Sequence, residues 1–254
     1  MMDTDAAPLL SLEPLDRVAS PARFLPLAGR LVPWFAGAAL LLTLVALSIG
    51  TTMGPAGAPA GDASRIVFIH VPAAWMSMLL FIAMAGCAAL ALAGVRLPAL
   101  LMVALAPTGA MFTIVALWSG LLWGKPTWGA WWVWDARLTC ELILFCLYLG
   151  FLALRSSIDD RRRADRFSAV LVLIGVLNLP ILYLALSWWN PSPHQGVAAS
   201  LTGSPKMARG MLGAILVMTA AFWMYANAVV LARVRCLVLE GRAGPGSISA
   251  EAAA

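Results

Sequence analysis

The sequence predicts an all-α fold, a polytopic membrane protein with six transmembrane helices. Three observations carry that expectation. Of 254 residues, 62% are hydrophobic and 11% are charged, where soluble domains carry about 25% charged residues. A chain of this size has no interior large enough for that much apolar surface, which excludes a water-soluble globular enzyme and a disordered chain. The apolar residues fall in runs long enough to cross a bilayer, and the basic residues divide unevenly between the two sides those runs define.

Residues 31–61, 66–95, 97–124, 167–205 and 210–232 carry no charge, and 138–154 carry only Glu141. At roughly 20 apolar residues per crossing, the spans fall at 31–51, 70–94, 99–122, 138–155, 168–187 and 210–233. Pro72 lies near one end of the second span, Pro107 and Gly109 inside the third, and Pro180 inside the fifth. Neighbouring helices can satisfy the backbone groups they release. Residues 1–30 hold Asp3, Asp5, Glu13 and Asp16, lack a cleavable signal pattern and read as a short tail. The membrane domain occupies 31–235, and 236–254 form a second tail rich in Gly, Ala and Ser at its end.

Counting basic residues in the tails and loops puts 12 on one side and 5 on the other. The positive-inside rule then places both termini in the cytoplasm. Loops 52–69, 123–137 and 188–209 face outward, to the periplasm in a Gram-negative cell, and loop 155–167 with its RRRADR run faces inward. The net charge of +5 therefore speaks of orientation and lipid, not of nucleic acid. RRRADR reads first as a solvated topology anchor and second as a contact for a cytoplasmic partner. The four cysteines, Cys87, Cys140, Cys146 and Cys236, form no CxxC pair and read as structural thiols.

The chemistry-bearing residues gather on the outer side. The only two histidines, His70 and His194, both fall there. Each alone is compatible with an ordinary interfacial histidine. As a pair at one membrane level they suit the two axial positions of a haem iron, and they are too few for a closed zinc site. Nine of the 11 Trp share that side: Trp75, Trp118, Trp123, Trp128, Trp131, Trp132, Trp134, Trp188 and Trp189. An aromatic belt would populate both interfaces, and this distribution is lopsided. In WGKPTWGAWWVWDARLT (123–139), five of the first twelve residues are Trp, a density that suits a platform for a flat aromatic ligand.

If that segment is helical, Trp128, Trp131, Trp132 and Asp135 share one face; with Gly124, Pro126 and Gly129 in it, an ordered loop is the other reading. Asp135 reads equally as a cap for the fourth span and as a group that orients a cofactor or a histidine. Arg65, Lys125 and Arg137 are placed either to snorkel at the interface or to pair with haem propionates. Glu141 is the one acid inside a span; it reads first as a structural pair with Arg137, four residues earlier, and second as part of a proton path.

At these residues the chain resembles the CcmC family of haem-handling membrane proteins. WGAWWVWDARLT (Trp128 to Thr139) is similar to the family's "WWD" signature, and IHVPAAWMSM around His70 and WWNPSPHQG around His194 match its flanking pattern. The similarity covers about residues 30–235. It implies a six-span inner-membrane component of cytochrome c maturation that presents haem b at the periplasmic face and loads the haem chaperone CcmE. The implied partners are the ATP-binding-cassette subunits CcmA and CcmB and the small membrane protein CcmD. His70 and His194 would be the axial ligands, and Trp128, Trp131, Trp132, Trp134 and Asp135 the haem and chaperone platform. The same resemblance leaves two alternatives, a CcmF- or CcsA-like haem lyase component and a transmembrane haem transporter subunit. No nucleophile with its base and no phosphate-binding loop is present in the sequence, so an enzyme is not expected and any ATP use falls to partners.

Overall fold

The computed structural model describes residues 21–52, 65–188 and 209–242. These form helices and no strands: α1 (Pro21–Thr52), α2 (Val67–Leu92), α3 (Arg96–Trp128), α4 (Ala136–Ser157), α5 (Arg161–Gly175), α6 (Asn178–Trp188) and α7 (Arg209–Arg242). Among the described residues six segments are long and apolar enough to cross a membrane: Phe24–Thr52, Val67–Leu92, Arg96–Pro126, Ala136–Ser157, Arg161–Leu182 and Leu212–Glu240. The fold class is the expected one. The outer helices extend past the expected spans, α1 starting ten residues ahead of position 31 and α7 running to Arg242.

α3 is the central helix. In its most apolar window 56% of residues are buried, against 11% in α1, which packs on α7 at the edge of the bundle. α2 and α3 pair along their lengths, and α4, α5 and α7 close around them. The core is made of Phe81, Met76, Met84, Met102, Phe112, Leu144, Tyr148 and Phe151. The large apolar side chains left outside, such as Leu40, Leu44, Ile82, Ile114 and Leu216, give the bundle an oily surface. Between such helices water provides no drive for association, so close packing and buried polar contacts do that work. Gly109 shows how close the packing is. A Cβ there would come within 2.2 Å of the Tyr148 ring.

Tyr148 also donates its hydroxyl hydrogen bond to the Ser77 carbonyl at 2.8 Å, while the Ser77 hydroxyl donates to Glu141 at 2.8 Å. One polar node thus ties α4 to α2 in the middle of the bundle. This corrects the expected partner of Glu141: the described residues form no Glu141–Arg137 ion pair. Both residues lie on α4, but Glu141 is buried against α2, which brings Ser77 within reach.

Two further differences have local causes. RRRADR is not a loop but the opening of α5, because Asp160 caps that helix by accepting from the Arg162 and Arg163 amides at 2.9 and 3.4 Å. The fifth span is broken at Val176–Leu177. Pro180 has no N–H to offer the Val176 carbonyl, and its ring crowds that same carbonyl. Asn178, at the break, donates to the Cys140 carbonyl at 2.8 Å, which fastens the interrupted span to α4. The four cysteines are free thiols.

Candidate functional site

The start of α2, the end of α3 and the α3–α4 connection meet at one end of the bundle. His70 lies in the first turn of α2 and faces α3. Its Nδ1 is 3.0 Å from the Ala116 carbonyl oxygen and 3.1 Å from the Ser119 hydroxyl. A carbonyl oxygen only accepts, so that bond puts the ring proton on Nδ1 and the lone pair on Nε2. Gly120 makes the approach possible, since a Cβ there would sit 3.1 Å from His70 Cε1. The Trp123 ring lies 6.4 Å from the imidazole, tilted by 34°.

The Trp-rich segment is part helix and part loop. α3 runs to Trp128 and stops at Gly129, whose φ of +78° is left-handed and closes the helix by donating to the Lys125 carbonyl. Residues 129–135 then form an ordered loop. Of the two readings the loop holds beyond Trp128, so Trp128, Trp131, Trp132 and Asp135 do not share one helical face. The rings instead meet in pairs: Trp123 edge-on to Trp128 at 5.3 Å, and Trp132 edge-on to Trp134 at 5.3 Å. Trp131 and Trp134 remain 56% and 68% exposed, far more than indole rings built only for packing. The Trp132 indole nitrogen is buried with no acceptor among the described residues.

Of the two readings of Asp135, the cap is visible. Asp135 has extended backbone and accepts from the Leu138 amide at 2.8 Å, and it is 6% exposed. Lys125 donates to the Gly129 carbonyl at 3.1 Å and its ammonium stands 5.9 Å from the centre of the Trp131 ring, so it braces the loop. Arg137, in the first turn of α4, is half-buried, and Arg65, just ahead of α2, is exposed. His194, with Trp189, lies outside the described residues. Sequence reasoning did not single out Ala116, Ser119 and Gly120. Their signal is the small Ser119–Gly120 pair one turn before Trp123, the kind of pair that lets helices approach closely.

The site and fold together define a class: a multi-pass α-helical membrane protein with a tautomer-fixed histidine beneath an exposed tryptophan loop. Residues 14–247 match the family described as CcmC, Heme exporter protein C. A protein named "Heme exporter protein C" from Escherichia coli K12 is 45% identical over 183 residues, 72% of this chain and 74% of that one. Proteins of the same name from Bradyrhizobium diazoefficiens and Haemophilus influenzae are 41% identical over 230 residues and 40% over 227. The first alignment covers 89% of this chain and 85% of the relative, the second 87% and 90%. The chain belongs to the CcmC family.

Proposed function

We propose that this chain binds haem b at the Trp-rich end and presents it there to the haem chaperone CcmE during cytochrome c maturation. The observation that carries the reading is the hydrogen bond from His70 Nδ1 to the Ala116 carbonyl. It favours the tautomer whose Nε2 would ligate iron, and it orients the ring, as backbone partners of metal-bound histidines commonly do. The names of the relatives and the family support the choice of haem as cargo.

The residues present fit that cargo. His70 and His194 would hold the iron, haem itself bringing the rest of its nitrogen ligands. Trp128, Trp131, Trp132 and Trp134 offer broad apolar faces to the macrocycle, and the exposure of Trp131 and Trp134 leaves surface for a partner to contact. Lys125, Arg137 and Arg65 are the cations for the propionates. Asp135 holds the loop to α4 and so sets the height of the platform. The chain holds and orients rather than making bonds; ATP hydrolysis belongs to CcmA and CcmB, with CcmD as a further membrane partner. In this reading both termini are cytoplasmic, the membrane is the bacterial inner membrane and the Trp-rich end faces the periplasm.

The test is the visible spectrum of the purified full-length protein. Wild type is expected to carry haem with a bis-imidazole spectrum. His70→Ala and His194→Ala are each expected to lose that spectrum and most of the bound haem, and exogenous imidazole should restore part of it. Unchanged haem occupancy and unchanged bands in both variants would show that the ligand assignment is wrong.

A further inference from the structure

At the other end of α2 and α3 the helices open around a cavity of about 1100 Å³. Five elements contribute to it: the end of α2, the start of α3, the end of α4, the start of α5 and the end of α7. Its walls carry Arg96, Arg155, Arg161, Arg162, Arg163 and Arg166 against Asp160 and Asp165, a formal excess of four positive charges. Both acids are engaged. Asp165 pairs with Arg155, and Asp160 pairs with Arg163 at 3.5 Å while capping α5. Asp159 and Glu240 line a smaller adjoining cavity that shares Arg155 and Arg161. The excess of four rests on Arg96, Arg161, Arg162 and Arg166, all exposed; Arg161 is shared with the smaller cavity, which leaves Arg96, Arg162 and Arg166 to the large one alone.

The backbone adds to this field. α3 begins here at Val95, which offers no side-chain acceptor to the first-turn amides, and an uncapped helix start attracts anions. The rest of the wall is apolar: Leu92, Val95, Leu100, Leu237 and Val238. Those side chains stand where apolar helices give way to charged ends, the depth at which a phospholipid changes from acyl chain to phosphate. A free anion would use only the arginines. A nucleotide would leave the leucines and valines against a polar ligand. An anionic phospholipid uses both surfaces at once.

We propose that this cavity is a binding site for an anionic phospholipid of the leaflet this end faces, its phosphate held by Arg96, Arg162 and Arg166 and its acyl chains lying along Leu92, Leu100 and Leu237. A headgroup with two phosphates, as in diphosphatidylglycerol, matches the charge excess better than one with a single phosphate. Basic pockets between membrane helices bind such headgroups by this same combination of charge and apolar wall.

Native mass spectrometry of the full-length protein, after exchange into detergent with added diphosphatidylglycerol, phosphatidylglycerol or phosphatidylethanolamine, tests it. Wild type is expected to retain diphosphatidylglycerol first and phosphatidylethanolamine least. The triple variant Arg96→Gln, Arg162→Gln, Arg166→Gln is expected to lose roughly a hundredfold in retention, the attraction of three basic residues. The triple Arg→Lys variant keeps the charge and should keep the lipid, which separates loss of the site from loss of the fold. Arg233→Gln, an exposed cation of α7 outside the cavity, should change nothing. Equal retention by wild type and the Gln triple overturns the proposal. So does an equal loss in Arg233→Gln, which would mean nonspecific surface charge, or complete displacement by inorganic phosphate, which would mean a free-anion site.

Discussion

The two ends of this bundle are both polar caps on an oily cylinder, yet they are built in opposite ways. At the Trp-rich end the described residues include few charges and each described contact fixes a direction: His70 on the Ala116 carbonyl, Asp135 on the Leu138 amide, Lys125 on the Gly129 carbonyl. At the Arg-rich end charges are many, mostly exposed, and gathered around a void. Fixed directions suit a ligand recognised by geometry, as a metal-centred macrocycle is. Clustered exposed cations suit a ligand recognised by charge. The difference shows why counting polar residues alone would have ranked the wrong end first for the histidine chemistry.

What joins the ends is the packed middle, so the strongest way to break the comparison is to disturb both at once. Gly109→Val should do so. The first carbon of the new side chain already falls inside the Tyr148 ring's contact distance, and overpacking of this kind costs about 1–3 kcal/mol and sometimes more. The expected result is a marked drop in the thermal midpoint in detergent, with haem and lipid retention lost together. If either end survives intact while the midpoint falls, the ends are not held by a common core. Tyr148→Phe tests the same middle more gently. It removes the hydrogen bond to the Ser77 carbonyl, an effect of about 1 kcal/mol, and should lower the midpoint without changing the haem spectrum.

How much of this was legible beforehand follows from what each feature depends on. The six spans depend on composition within single segments, so uncharged runs located them. Asp135 as a cap is local, within three residues of the amide it serves, and capping chemistry exposes it. The broken fifth span was half legible, because Pro180 was visible but not whether its neighbours would let it kink or break the helix. The partner of Glu141 was not legible at all. Ser77 lies 64 positions away, and only the packing of α2 and α4 against the shared α3 brings it near. The same holds for Ala116 and Ser119 beside His70, 46 and 49 positions along the chain. The Trp segment had two readings, helix and loop, and one left-handed glycine decides for the loop beyond Trp128 against a favourable spacing.

A smaller effect sharpens the Trp-rich end by itself. Asp135→Ala removes the cap of α4, which costs about 1 kcal/mol, and should loosen the loop that carries Trp131, Trp132 and Trp134. Asp135→Asn keeps an oxygen acceptor for the Leu138 amide but removes the charge. If the cap is the residue's role, Asn should restore the thermal midpoint and the haem occupancy that Ala lowers. If occupancy stays low in Asn while the midpoint recovers, the carboxylate charge acts on the haem or on a histidine. Neither variant should alter lipid retention at the Arg-rich end.

The smallest expected effect isolates the loop from its charge. Lys125 holds the Gly129 carbonyl and lies over the Trp131 ring, both at an exposed position. An exposed cation–aromatic contact of this sort contributes about 0.5–1 kcal/mol. Lys125→Met keeps the length and the apolar stem but loses the hydrogen bond and the charge. The thermal midpoint should barely move. Trp fluorescence should become more accessible to a neutral quencher as the Trp131 ring is released. Haem affinity should fall by a few-fold at most if Lys125 only braces the loop. A larger fall, relieved by Lys125→Arg, would place its charge on a propionate and make it part of the recognition surface.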